Sequence, residues 1–156
     1  MYRSRKRSTV IGLIAVLAIA ASAYAYWTAG GSGTGSGSAG TTTALTVNQS
    51  TVLDPMYPGD SAQTISGTFD NGNDGPVRVN TVTASIDSVV KAGGAPAGTC
   101  DATDFTLASA AMTVNAEVPA GTAVGSWTGA TIKFNNKASN QDACKGATVN
   151  LAYTIG

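Results

Sequence analysis

From Ala44 onward, apolar and polar residues alternate with a period of two, and this pattern restricts the chain to β-structure. Successive side chains of a strand point to opposite faces, so the alternation gives each strand one apolar face. No segment after Gly30 sustains the spacing of an amphipathic helix. Together with a short piece at Phe105–Leu107, the alternating segments predict about seven strands. They cover residues 45–48, 64–69, 77–86, 112–118, 130–134 and 149–155.

The segment at 77–86 contains a change of phase. Val77 and Val79 occupy odd positions, whereas Val82 and the apolar residues after it occupy even ones. A β-bulge adds one residue to a strand and so moves the side chains that follow to the other face. The sequence therefore predicts a bulge near Asn80 and Thr81.

Turn-forming residues separate the segments. Tyr57–Asp60 contains a Pro-Gly pair, Asp70–Pro76 is rich in Asn, Asp and Gly, and Ala92–Gly98 and Pro119–Gly121 carry similar signals. Short alternating strands joined by such turns are typical of two antiparallel sheets packed face to face. We therefore predict an all-β domain over residues 44–156, an antiparallel two-sheet immunoglobulin-like sandwich.

The two cysteines, Cys100 and Cys144, predict one disulfide in an exported domain. Closing a loop of about 45 residues would stabilise the fold by roughly 4 kcal/mol. Cys100 lies in a predicted loop and Cys144 precedes the last strand, so the bridge would join loops without crossing the core. The alternative is a pair of free thiols. A zinc site lacks ligands, because the chain has no histidine.

The N-terminus has the three parts of a secretory signal. Four cations lie within residues 3–7, an apolar core follows at Val10–Ala20, and Ala23 and Ala25 supply the small residues before a cleavage site. We predict a signal peptide over residues 1–25 with cleavage after Ala25; Ala21–Ala23 offers a second site. Residues 26–43 are rich in Gly, Ser and Thr and predict a flexible linker.

A retained membrane anchor is the alternative to cleavage. Thr9–Trp27 could form a helix of 19 residues, close to the roughly 20 that span a bilayer. Its cations would lie on the cytoplasmic side and its aromatic residues in the outer interface. Both interpretations place the domain outside the cell or at its surface. Contact with a membrane is expected only through this segment, if it is not cleaved.

Charge and composition exclude several classes of function. After the signal, five cations stand against nine anions, a net charge of −4, which does not suit a nucleic-acid binder. The absence of histidine removes the usual general base and the common catalytic triads, so we do not expect an enzyme. Asp101 and Asp104 are close in sequence, and we expect both to be solvated loop carboxylates.

A calcium site is the one cofactor that the sequence suggests, and otherwise we expect none. Asp70, Asn71, Asn73 and Asp74 offer side-chain oxygens in one loop, as calcium requires. However, Gly72 and Thr81 occupy positions where the EF-hand loop needs ligands, so the pattern is not an EF-hand. The alternative is a turn built from residues that tolerate a positive φ.

Trp127 is out of phase with Ile132 and Phe134 in the predicted strand. It could therefore lie on the outer face, where an indole would serve as a contact for a partner protein or a sugar. The alternative, which we favour, is burial at an edge or corner of a sheet.

The segment Ala23-Tyr24-Ala25-Tyr26-Trp27-Thr28 resembles the end of the signal peptide in the TasA/camelysin group of secreted bacterial proteins. The resemblance covers residues 1–28 and implies a β-sandwich that builds extracellular fibres, with an extended N-terminal segment completing a neighbour's sheet. The mature region here is shorter, its linker is rich in Gly and Ser, and it has no residues for the peptidase activity attributed to camelysin. In pattern alone, the domain resembles bacterial immunoglobulin-like surface modules.

These observations favour a secreted or surface-displayed structural protein of a matrix, fibre or envelope. Such a protein would act by contact with a partner protein or with its own copies, through free edge strands. Ala44–Ser50 and Ala147–Ile155 are the predicted edges. The alternative is an extracellular module that binds carbohydrate or protein.

Overall fold

The computed structural model describes residue 32 and residues 34–156, and the described part of the chain forms seven strands. The strands are β1 (Thr46–Gln49), β2 (Gln63–Asn71), β3 (Val77–Val90), β4 (Phe105–Ala108), β5 (Ala111–Val118), β6 (Gly121–Phe134) and β7 (Thr148–Ile155). Two 3-10 turns lie between strands: Ala102–Asp104 precedes β4, and Asp142–Cys144 precedes β7. The predicted cleavage residues Ala23 and Ala25, and the predicted signal or anchor, lie outside the described residues.

The strands form two antiparallel sheets, so the all-β prediction is confirmed. The four-stranded sheet has the order β1-β2-β6-β4, and the three-stranded sheet has the order β5-β3-β7. The two strands predicted to be edges, β1 and β7, each lie at the edge of a sheet. Gly40–Gly156 is one compact unit.

Side chains from both sheets share one hydrophobic core, an arrangement that fits a β-sandwich. Along β2 the alternation is complete: Ile65, Gly67 and Phe69 are buried, and Ser66 and Thr68 between them are half-buried. The buried members of the core are Ile65, Phe69, Val79, Val82, Ala84, Met112, Val118, Trp127, Ala130 and Ile132.

The predicted bulge in β3 is present. The backbone N–H groups of Asn80 and Thr81 both donate to the carbonyl oxygen of Gly156, at 3.3 and 3.1 Å. Two residues of β3 thus face one residue, Gly156, which directly follows β7, and this is the pattern of a bulge. As a result, Val79 and Val82 are both completely buried although they differ in phase.

Trp127 is buried in the core, so it does not lie on the outer face and is not a surface contact for a partner protein or a sugar. Thr64 and Ser66 of β2 pair with Thr131 and Thr128 of β6, so β6 has an additional residue between these two pairs. This bulge reverses the phase and turns Trp127 inward, where only 2% of it is exposed. The favoured alternative, burial, is confirmed.

Gly67 provides the space that Trp127 fills. A Cβ built on Gly67 would overlap the carbonyl oxygen of Asn48 and the indole ring of Trp127. The indole N–H donates to the carbonyl oxygen of Thr68 at 3.1 Å, so the buried polar atom is satisfied. Trp127 therefore packs directly against the backbone of β2.

Replacing Gly67 by alanine should lower the free energy of unfolding by at least about 2 kcal/mol, because the added methyl group has no space on either side. Urea denaturation followed by tryptophan fluorescence measures this change. Gly75→Ala is the matched control, since a Cβ there meets no atom within 4 Å. Equal stabilities of the two variants would contradict the role given to Gly67.

Candidate functional site

A groove of about 750 Å³ lies between the edge strands β1 and β7. Its apolar lining comes from three strands and the residue before β1: Leu45, Val47, Val77, Val79, Leu151, Tyr153 and Ile155. Arg78 is the one charged residue among those that line it. The groove therefore offers mainly apolar side chains, together with the backbone of two sheet edges.

Backbone N–H and C=O groups are available for pairing along this groove, because the ladders of backbone hydrogen bonds within each sheet end before it. Among the described strands, β1 pairs with β2 alone and β7 pairs with β3 alone. The ladder between β3 and β7 starts at the pair Val82–Ile155, and Gly156 takes the N–H groups of the bulge. Within the described residues, the start of β3 at Val77–Val79 has β5 as its only strand partner.

Tyr153 connects the two sheets beside the groove. Its ring packs on Trp127 of the other sheet, with ring centroids 4.7 Å apart and a tilt of 48°. Its hydroxyl donates to Oε1 of Gln49 on β1 at 2.6 Å. Burial raises the pKa of Tyr153 to about 12, because the phenolate would lose its hydration. Tyr153 therefore links the edge strands β1 and β7 through a side-chain hydrogen bond.

The arrangement suits recognition of an extended polypeptide. Unpaired strand edges provide hydrogen-bond donors and acceptors to an incoming strand, and apolar side chains between the sheets provide a surface for its alternate side chains. No His, Cys, Asp, Glu or Lys is among the residues that line the groove.

The predicted disulfide is confirmed. Cys100 and Cys144 are bonded, with their Cα atoms 5.1 Å apart, and they join the loops that contain the two 3-10 turns. The bridge does not cross the core, as predicted. A disulfide is typical of proteins from an oxidising, extracellular environment. The sulfur atoms and a carboxylate oxygen of Asp104 lie within 4.8 Å of one another, but bonded sulfurs are not thiolate ligands for a metal.

Asp104 is buried, and the expectation that it is a solvated loop carboxylate is wrong. Burial acts to raise its pKa. Hydrogen bonds outweigh that effect and hold the pKa below the ordinary value. The donors are Nζ of Lys137 at 2.8 Å, the backbone N–H of Asp101 at 3.0 Å and Nε2 of Gln141 at 3.2 Å. Asp101 is exposed and caps the 3-10 turn Ala102–Asp104. Asp101 and Asp104 together therefore stabilise the loop beside the disulfide.

The structure does not bring the four calcium candidates together. Asp70 and Asn71 are consecutive on β2, so their side chains point to opposite faces of the sheet. Asp70 accepts from the N–H of Ala123 at 2.8 Å, and Asn71 is buried and donates to the carbonyl oxygen of Val118 at 2.9 Å. Asn73 pairs with the backbone of Thr43.

Asp74, the fourth calcium candidate, is exposed and has no hydrogen bond or ion pair to another described residue. The pKa of Asp70 is lowered, first by the Ala123 N–H bond and then by a bond from Asn48. The oxygens of Asp70, Asn71 and Asn73 already accept bonds that organise the turn. This arrangement corresponds to the alternative of a structural turn, and we do not propose a calcium site.

Comparisons with family models, with curated proteins and with solved structures each return no match for this chain. In the part of the chain that the structure describes, no helix combines the length and apolarity needed to cross a bilayer.

Tyr153 should make stability depend on alkaline pH. The unfolded chain releases the phenolic proton near the ordinary pKa of about 10, whereas the folded protein releases it at about 12. The stabilisation is therefore complete below pH 10 and is lost as pH rises towards 12. Urea denaturation of wild type and Tyr153→Phe across this range measures the effect. The stability difference between the two proteins should shrink or reverse as the pH rises, and a constant difference would contradict a half-buried hydroxyl that donates in the folded state.

Proposed function

We propose that this chain is a secreted or surface-displayed structural protein of an extracellular matrix, fibre or envelope. It associates with other copies, or with a partner protein, by strand addition at the groove between β1 and β7. The observation that carries the proposal is the position of this apolar groove between two unpaired strand edges.

The composition of the two edge strands supports association. Natural proteins usually protect free edges with charges, prolines or bulges, because an unprotected edge pairs with other chains. Neither Thr46–Gln49 nor Thr148–Ile155 contains a charged residue or a proline. By contrast, the edge strand β5 carries Glu117 and a residue with positive φ, Asn115. The two edges beside the groove therefore lack charges and prolines, and β1 is short, with four residues.

The proposed location rests on the N-terminal sequence and the disulfide. A cationic start, an apolar core and Ala23 and Ala25 form the pattern of an exported chain, and the bond between Cys100 and Cys144 is suited to an oxidising compartment. A Gly/Ser/Thr-rich linker would let the domain stand away from the site of export or anchoring.

We also propose an immunoglobulin-like arrangement of the two sheets and a relationship with the TasA/camelysin group. Support for the first comes from two antiparallel sheets around one core, and for the second from the Tyr-Ala-Tyr-Trp junction at residues 24–27. Structural assembly, and not catalysis, is the proposed role, because the groove presents backbone and apolar groups.

Sedimentation velocity on the protein purified from the producing cells tests this proposal. Wild type should associate as its concentration rises. Ile155→Lys should weaken association at least about tenfold, because a charge would enter an apolar contact beside the edge. Ile155 is 37% exposed and lines the groove, so the lysine can be tolerated in the isolated domain.

Val90→Lys provides the matched control. Val90 is 54% exposed and lies at the other end of β3, away from the groove. Association should be unchanged in this variant. A wild-type protein that stays monomeric at high concentration, with and without calcium, would contradict self-association, and so would equal weakening by both lysine substitutions.

A further inference from the structure

A second cleft, of about 720 Å³, lies beside the disulfide. Its volume is within the range of about 300–1,000 Å³ that is usual for small-molecule sites. Two loops form its walls: residues 55–58 on one side and residues 136–147 on the other. Phe105 and Phe134, whose ring centroids are 5.1 Å apart, contribute to its apolar lining. This cleft does not overlap the groove in the residues that line it.

Tyr57 presents an aromatic ring at this cleft. It is 65% exposed, which is unusual for a large side chain in a chain with few aromatic residues. An exposed tyrosine combines an apolar face with a polar hydroxyl, and such residues are common in recognition sites. The ring is therefore available for stacking on a ligand.

The loop that carries Tyr57 is held in one shape. At its tip, the N–H of Tyr57 donates to Oδ2 of Asp60 at 2.9 Å, and the N–H of Asp60 donates to the carbonyl oxygen of Tyr57 at 3.1 Å. At its base, the Gln63 amide forms two hydrogen bonds with the backbone of Asp54, at 2.8 and 3.0 Å. Met56 packs against the core. A platform fixed in this way loses little entropy on binding.

The opposite wall is also fixed. The disulfide holds Cys144, and Gln141 accepts from the N–H of Lys137 at 2.9 Å while donating to Asp104. A Cβ built on Gly59 would lie 3.8 Å from Nδ2 of Asn136, so the tyrosine loop faces this wall closely. Contacts within the chain thus hold both walls of the cleft.

The two lysines that line the cleft are each paired with an aspartate. The ammonium group of Lys137 lies 2.8 Å from Asp104, and that of Lys145 lies 2.7 Å from Asp142. In contrast, the side chains of Asn136 and Ser139 are exposed and form no hydrogen bond with the described residues. The polar groups available to a ligand are an amide and a hydroxyl, which both donate and accept.

We propose that this cleft binds a neutral saccharide, with a sugar ring stacked on Tyr57 and its hydroxyl groups bonded to Asn136 and Ser139. A sugar ring has an apolar face of C–H groups and a rim of hydroxyls, which matches one exposed aromatic ring beside an amide and a hydroxyl. Proline-rich peptides instead dock into grooves lined by several aromatic rings. In this cleft Phe134 is 7% exposed and Tyr57 is the one strongly exposed ring among the lining residues.

Amide chemical-shift mapping by NMR tests the proposal, with cellotriose, N,N′,N″-triacetylchitotriose and maltotriose as neutral probes. At least one trisaccharide should shift the amide signals of Tyr57, Asn136 and Ser139, with a Kd of about 1 mM, so titration to about 10 mM covers the transition. Tyr57→Ala should weaken binding at least about tenfold, whereas Tyr57→Phe, which keeps the ring, should stay within about twofold of wild type.

Val52→Ala is the control for the alanine variant, because Val52 is an apolar residue 90% exposed in the same connection and does not line the cleft. It should bind like wild type, and Ile155→Lys should too, which separates this site from assembly at the groove. The proposal is overturned if none of the three sugars shifts these amides, if binding persists in Tyr57→Ala, or if a proline-rich peptide shifts them and the sugars do not.

Discussion

The packing of the Trp127 indole against the backbone at Gly67 is the contact on which the described domain depends most. The indole is buried in the core and donates its N–H to the carbonyl oxygen of Thr68. Its ring packs on Tyr153 of the other sheet. Tyr153 in turn bonds to Gln49 on β1. Gly67 therefore allows the indole to lie against β2, and the indole packs on the tyrosine that links β7 to β1.

The groove is a consequence of this arrangement. β1 and β7 belong to different sheets, and the Tyr153 contact keeps them near each other without backbone pairing between them. Between them remain apolar side chains and the start of β3, which β7 does not cover. A strand inserted here would extend a sheet and bury apolar surface at once, and these two effects together favour association. The fixed cleft at Tyr57 lies in loops that this association does not require.

Parts of all seven strands, the edges β1 and β7, the disulfide and the bulge at Asn80–Thr81 could be predicted, because alternation and cysteine count report on local geometry and compartment. The first nine residues of β6, at 121–129, are missed, since the predicted strand covers only residues 130–134. The inward position of Trp127 depends on a second bulge, between Thr128 and Thr131 of β6. The position of that bulge is determined only by the pairing of β6 with β2, so it could not be predicted from the sequence. The burial of Asp104 and the cleft at Tyr57 depend on loops that are distant in sequence and meet only in the folded domain.

Hydrogen exchange of the backbone amides, compared between dilute and assembled protein, tests the central claim most directly. Assembly should protect the amides of β1, β7 and the start of β3 at Val77–Val79, because an added strand would pair with these edges. Protection of β4 or β5 alone, with exchange at β1 and β7 unchanged, would contradict the account.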